Sequence, residues 1–317
     1  MVGTPAEHAP DPDDPLIGGA PEPATLTFRD VTSADGTRLR AWSNEGIAGP
    51  DAPTVLLCNG LGTNPYTWPA LLREGCGVRV VSWYHRGTGG SERPRRRRDV
   101  TIDDFVEDAL AVMADAGLDR VPVMGWSMGV NTAFELAVRH PERVAGLFAV
   151  AGVPGSTFAS MLGPTRLPRP VAHALTVNAA RVLKYAGPAI TPVAQRLRMG
   201  RLGVRVLTHS GFMFPTPDPE GTGRAVRDFL TTPVDWYGHV ALATSRHRRV
   251  PLGTIRVPTA FVAGRWDVLA GARDMASAAA RIPGATYTEV PATHFVQMEH
   301  PDEVHALLLD FLATVEE

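Results

Sequence analysis

Continuous apolar runs alternate with helix-patterned stretches, and this alternation restricts the possible folds of the chain more than any other feature. TVLLC (54–58), VRVVSW (78–83), VPVMG (121–125) and VAGLFAV (144–150) are apolar over most of their length rather than at every other position. That pattern belongs to strands buried on both faces. Between them, TIDDFVEDALAVMADAG (101–117) and NTAFELAVRH (131–140) carry helical spacing. In the first, Thr101 and Asp104 stand at capping-box spacing, Phe105, Ala109 and Val112 form the apolar face, and Gly117 closes the pattern. Strand and helix in alternation predict a mostly parallel central sheet flanked by helices, an α/β fold.

Ahead of this pattern, the turn SADGTR with Asp35-Gly36 predicts a hairpin at the antiparallel edge of the sheet. The alternation stops after Val150 and resumes at PTAFVAG (258–264), ATYTEV (285–290) and the terminal helix PDEVHALLLDFLA. The segment between has helical stretches interrupted at Pro164, Pro168, Pro188, Pro192 and Pro215, where helix breaks are expected. The expected organisation is a flexible, acidic, Pro-rich tail (1–24), a core of residues 25–153 and 236–317, and a helical lid (154–235).

A formal net charge of −2 supplies no general field for nucleic acid or membranes. RPRRRR (93–98) is a single run without interleaved aromatics, and a solvated loop, meeting the acidic tail, is the better reading than a nucleic-acid site. The two cysteines, Cys58 and Cys76, cannot build a disulfide framework or a zinc cage, and their sparse use suits a reducing cytoplasm. No run reaches the length of a membrane span. There is no H-E-x-x-H, no dinucleotide fingerprint and no Walker lysine, so no metal or other cofactor is expected.

One motif points to chemistry. VMGWSMGVN sets Ser127 between Gly125 and Gly129 in G-x-S-x-G spacing, with a strand before it and a helix after it. A serine on a sharp strand-to-helix turn needs small neighbours and presents its hydroxyl above the sheet. The alternative is an ordinary small residue in a βα turn.

With CNGLGTN, HRGTGGS, GWSMG, GRWD and ATHF in this order, the chain from about Leu26 onward resembles the α/β-hydrolase superfamily, and within it serine carboxylic ester hydrolases. The resemblance implies the chain order serine, acid, histidine: Ser127 as nucleophile, Asp267 as acid and His294 as base. His300 competes with His294 but reads as the approach to the terminal helix, and Asp267 has an N-cap of the helix near Ala270 as its alternative role. The resemblance also implies oxyanion N–H donors at Leu61 and Met128. The chain departs from many relatives at Asn59, where they have His, and at Tyr84, where they have Asp. An aspartate at the elbow would have suggested a dehalogenase or epoxide hydrolase; Ser127 disfavours both.

The expected substrate is a small or medium ester, bound by a monomer or homodimer. Trp126, Met161, Phe212, Phe214, Trp236 and Tyr237 are candidate pocket walls, with core packing as their alternative. From Arg143 to Phe214 there are nine basic residues and no Asp or Glu, so a lid arginine is a candidate partner for a carboxylate-bearing half-ester such as a monoalkyl phthalate. Val171, Leu175, Val182, Val193 and Leu197 recur at helical spacing and either cap the pocket or pack the lid onto the sheet. C–C bond hydrolysis, lactone opening, amide cleavage, perhydrolysis and a hydrolase-like ligand sensor are the competing readings.

Overall fold

A computed structural model describes residues 26–165, 167–197, 199–248 and 250–316. The expected acidic tail lies outside them. The strands form one eight-stranded sheet in the order β1-β2-β4-β3-β5-β6-β7-β8. They are β1 (Thr27–Thr32), β2 (Arg38–Ser43), β3 (Thr54–Cys58), β4 (Arg79–Trp83), β5 (Val121–Trp126), β6 (Val144–Val150), β7 (Thr259–Gly264) and β8 (Thr286–Val290). β1–β2 and β2–β4 pair antiparallel and every later pair is parallel, as the continuous apolar runs require. Alternate residues serve opposite faces: Leu56, Val81, Val123 and Leu147 enter one core, whereas Val55, Leu57, Val80, Met124 and Phe148 enter another.

The helices are α1 (Glu45–Ala48), α2 (Ile102–Asp115), α3 (Gly129–Arg139), α4 (Thr157–Ser160), α5 (Arg169–Gln195), α6 (Arg201–Thr208), α7 (Pro219–Thr231), α8 (Val234–Thr244), α9 (Ala272–Ala279), α10 (Val296–Glu299) and α11 (Pro301–Glu316). The expected capping box is present: the Thr101 hydroxyl accepts the Asp104 N–H and the Asp104 carboxylate accepts the Thr101 N–H. α2 and α3 cover the first core with Val106, Met113 and Phe134, and α11 covers the second with Leu308, Phe311 and Leu312.

The arginine of HRGTGGS is structural. Arg86, 1% exposed, grips both Asp108 oxygens at 2.8 and 2.7 Å and also donates to Asp35 and Ser33, tying the hairpin turn to α2. A buried guanidinium needs this bidentate partner to offset its lost hydration.

Between β6 and β7 the chain leaves the sheet for α4 to α8. Pro164 and Pro168 precede α5 and Pro215 separates α6 from α7, as expected, but α5 runs unbroken through Pro188 and Pro192. Proline removes a helical N–H and crowds the preceding turn. Here the Thr191 hydroxyl donates to the Gly187 carbonyl at 2.8 Å and accepts the Val234 N–H at 2.9 Å, so the weakened turn is stitched to the start of α8. α8 packs with α5 and with Val100, Ile102 and Phe105 at the entry to α2, and the expected 235/236 boundary falls inside its first turn. The basic loop is not simply solvated. The Arg93 and Arg97 guanidiniums lie 4.5 and 5.5 Å from the Trp236 ring centroid of α8.

Candidate active site

Ser127 follows the last residue of β5 and adopts φ = 56°, a left-handed conformation that serine rarely takes. The two motif glycines make that turn possible. A Cβ on Gly125 would lie 2.7 Å from Val130 Cα, and one on Gly129 would overlap the Cys58 carbonyl. α3 therefore starts directly above the end of β3, with the Ser127 hydroxyl held at the carboxyl edge of the sheet.

The two residues expected beside the serine converge on it. His294 Nε2 is 2.8 Å from Ser127 Oγ, and His294 Nδ1 is 2.9 Å from Asp267 Oδ2. Asp267 is fully buried and His294 is 4% exposed. A carboxylate only accepts, so Nδ1 carries the proton and a neutral ring offers Nε2 as acceptor to the serine hydroxyl. Asp267 is not the N-cap of the following helix, which starts at Ala272 after Gly271; its Oδ1 instead accepts the N–H groups of Leu269 and Ala270 at 2.7 and 2.8 Å within the loop. Both oxygens are thus oriented. Gly264 ends β7, where any side chain would overlap the Thr293 carbonyl, and this close approach brings the Asp267 and His294 loops together. His300 instead sits 3.3 Å from Glu303, away from the serine.

Leu61 and Met128 stand beside Ser127 in the wall of a cavity of about 370 Å³. Among the described residues, neither N–H donates to another backbone group. Asn59, the departure from the common His-Gly, accepts the Gly60 N–H at 3.0 Å and the Trp68 indole N–H at 3.1 Å, which orders this loop.

Of the expected walls, Trp126, Met161, Phe212 and Tyr237 line the cavity, and Phe214 and Trp236 do not. Trp236 is fully buried elsewhere: its indole donates to the Arg86 carbonyl at 2.7 Å and packs where Gly87 leaves room. Phe214 lies past the cavity, its N–H held by Glu299 at 2.8 Å, and the neighbouring Met213 takes the wall position. Trp126 also holds the His294 backbone, since its indole donates to the His294 carbonyl at 3.1 Å. Met128, Met213, Met298, Phe158, Phe229 and Phe295 complete an almost wholly apolar lining. Burial pushes the Tyr237 phenol above its ordinary range, so that wall is uncharged as well.

No arginine or lysine among the described residues lines the cavity. Arg169 and Arg201 pair with Asp274 and Glu220, Arg181 lies against Asn178, and Arg166 and Arg198 lie outside the described residues. The expected cap residues Val171, Leu175, Val182, Val193 and Leu197 are all exposed, so they neither cap the pocket nor pack onto the sheet.

Residues 53–301 match the family model described as the alpha/beta hydrolase fold. The chain is 28% identical over 325 residues to epoxide hydrolase A of Mycobacterium tuberculosis, covering 90% of this chain and 97% of that protein. Its fold is similar to a thermophilic esterase from Thermogutta terrifontis (TM-score 0.67, 21% identity, 92% of this chain and 100% of that one). It is also similar to the enol-lactonase of Burkholderia xenovorans LB400 (TM-score 0.66, 24% identity, 90% of this chain and 100% of that one). With the mostly parallel sheet, the strand-to-helix turn at Ser127 and a family match spanning most of its length, the chain belongs to the α/β hydrolase fold family.

Proposed function

We propose that this hydrolase cleaves carboxylic esters through an acyl-enzyme, with Ser127 as nucleophile, His294 as general base and acid, and Asp267 as the group that holds the imidazole tautomer. The observation that carries the reading is the continuous relay from Ser127 Oγ through His294 to Asp267 at the wall of an apolar cavity. Ser127 Oγ attacks the ester carbonyl carbon as its proton passes to His294 Nε2. The tetrahedral oxyanion is met by the Leu61 and Met128 N–H groups, whose freedom from backbone acceptors among the described residues suits them to this role. The C–O bond to the alcohol then breaks and the alkoxide takes the proton from His294. Water, deprotonated by the same nitrogen, attacks the acyl carbon; the bond from that carbon to Ser127 Oγ then breaks, Oγ takes the proton back from His294, and the carboxylic acid leaves.

The relatives named epoxide hydrolases raise a second reaction, and the chemistry of Ser127 argues against it here. Opening an epoxide with a serine oxygen would leave an ether, which water attacking at His294 cannot cleave. A carboxylate nucleophile would leave an ester, which it can. Acyl transfer therefore suits this elbow, and lactone opening is the same reaction on a cyclic ester. The insertion acts as the lid: Phe158, Met161, Leu207, Phe212, Met213 and Phe229 all come from it to close the cavity above Ser127. Labelling with a fluorophosphonate, followed by a p-nitrophenyl ester chain-length series, tests the assignment. Stoichiometric labelling that is lost in Ser127→Ala, together with ester turnover, is expected; turnover surviving in Ser127→Ala would overturn it.

A further inference from the structure

Helix α5 is built inside out. Its buried positions are Ala172, Ala180, Gly187 and Ala194, all small. The reason is the closeness of α8: a Cβ on Gly187 would overlap the Asp235 backbone, and one on Gly238 would overlap the backbone of Lys184. With the backbones this near, no large side chain fits between the helices. Most of the bulky apolar residues of α5 face solvent instead, with Val171 45%, Leu175 51%, Val182 59%, Tyr185 76% and Val193 62% exposed, while Val177 and Leu183 are half-buried. At about 100° per residue, Val171, Leu175, Val182 and Val193 fall within about 40° of one line along a helix roughly 40 Å long. α6 continues the apolar surface with Leu202 and Val206, 76% and 65% exposed.

The charge that α5 and α6 themselves carry has one sign, although Arg169 and Arg201 pair with Asp274 and Glu220 of neighbouring helices. From Val144 to Phe214 the sequence has no Asp or Glu, and its ionised residues are seven arginines and Lys184. Arg181, Arg196 and Arg205 are exposed among the apolar residues, and Lys184 Nζ lies 5.6 Å from the Tyr185 ring centroid. Among the described residues no helix is long and apolar enough to cross a membrane, so a spanning role is not at issue. A helix with an apolar face and cationic flanks instead lies in the plane of a bilayer, its aliphatic side chains among the upper acyl chains and its cations at anionic headgroups. A second copy of the same face would set cation against cation.

We propose that the outer face of α5 and α6 is a docking surface for an anionic lipid bilayer. α6 carries Val206 outward and Leu207 into the cavity wall, so the docking face and the cavity share an element. The lipid surface follows from α5 and α6 alone and does not depend on the esterase reading.

The test is flotation of the full chain with vesicles of phosphatidylcholine alone and of equal phosphatidylcholine and phosphatidylglycerol. At least tenfold tighter binding to the anionic vesicles is expected, reduced by high salt. The triple variant Leu175→Ser, Val182→Ser, Val193→Ser should lose at least tenfold of that binding while keeping its thermal midpoint, because all three side chains are already in solvent. The double reversal Arg181→Glu, Arg196→Glu should weaken binding by a similar factor. Equal affinity for neutral and anionic vesicles, binding unchanged in both variants, or a dimer in sedimentation that the triple variant dissolves would each overturn the proposal.

Discussion

Glu299 holds Thr293 by two hydrogen bonds, the Thr293 N–H at 2.8 Å and its hydroxyl at 2.5 Å, immediately before His294 in the chain. Oε1, the oxygen that accepts the Thr293 hydroxyl, also accepts the Phe214 N–H at 2.8 Å. One buried carboxylate therefore sets the loop that carries the proposed base and fastens it to the insertion. Positioning errors of about 1 Å cost on the order of 10²-fold in rate. Glu299→Ala should lower kcat by about that factor with KM nearly unchanged. Glu299→Gln, which keeps one acceptor oxygen but turns its NH₂ toward one of the two N–H groups, should fall between. Equal kcat in all three proteins would remove Glu299 from the positioning of His294.

Asp267 divides its oxygens between the His294 ring and the N–H groups of Leu269 and Ala270. Asp267→Asn can keep the backbone contacts through its amide oxygen while its NH₂ group turns a donor toward His294 Nδ1. The ring then takes the wrong tautomer for accepting the serine proton. A fall in kcat on the order of 10⁴, with a thermal midpoint shifted far less than the activity, is expected. Steady-state kinetics beside a melting curve separate the two effects; wild-type kcat would exclude Asp267 from the relay.

His85, in the loop after β4, is buried against Phe105 with ring centroids 5.0 Å apart, and Nδ1 has no hydrogen-bond partner among the described residues. Burial pushes its pKa down to about 4. The folded state therefore keeps the ring neutral while the unfolded chain, with a value near 6.5, takes up a proton. Stability from this site is complete above about pH 6.5 and is lost as pH falls toward about 4. Between pH 7 and pH 5 the loss is about 2 kcal/mol. Half-buried His247 and His305 are shifted in the same direction, so the comparison is between wild type and His85→Leu. Urea unfolding at the two pH values should show the variant losing less stability than wild type by about this amount; identical losses would contradict the assignment.

The parts of the fold and site that could be read from the sequence are those governed by local rules. Strand burial on two faces writes itself as continuous apolar runs, the α2 cap as Thr101 with Asp104, and the elbow as two glycines around Ser127. Asp267 and His294 were legible because each follows a strand whose carboxyl end faces the same edge. Glu299 was not, since its partners Thr293 and Phe214 lie 6 and 85 residues away and no periodicity links them. Trp236 was misassigned because an aromatic residue wanted by a pocket and one wanted by a buried arginine loop look alike in sequence. The course of α5 through Pro188 and Pro192 depended on Thr191 meeting α8, a contact between residues 43 positions apart. The outward turn of its aliphatic residues depended on how closely two backbones pass, which helical spacing does not encode.

The charge of the preferred substrate follows from the lining. The exposed arginines of the insertion suggested a half-ester, yet the cavity wall holds apolar side chains, a few neutral polar groups and no cation among the described residues. A substrate carboxylate entering it would lose its hydration without gaining a partner, a cost of several kcal/mol that partial exposure at the mouth reduces. A neutral ester of matched size should therefore have kcat/KM at least about 10²-fold above its half-ester, for example a dialkyl against a monoalkyl phthalate. The preference should also be insensitive to salt, because no pair of opposite charges is being screened. Measuring both esters across ionic strength checks this. A half-ester preferred at low salt and disfavoured at high salt would return an arginine to the binding site and require the insertion to move inward.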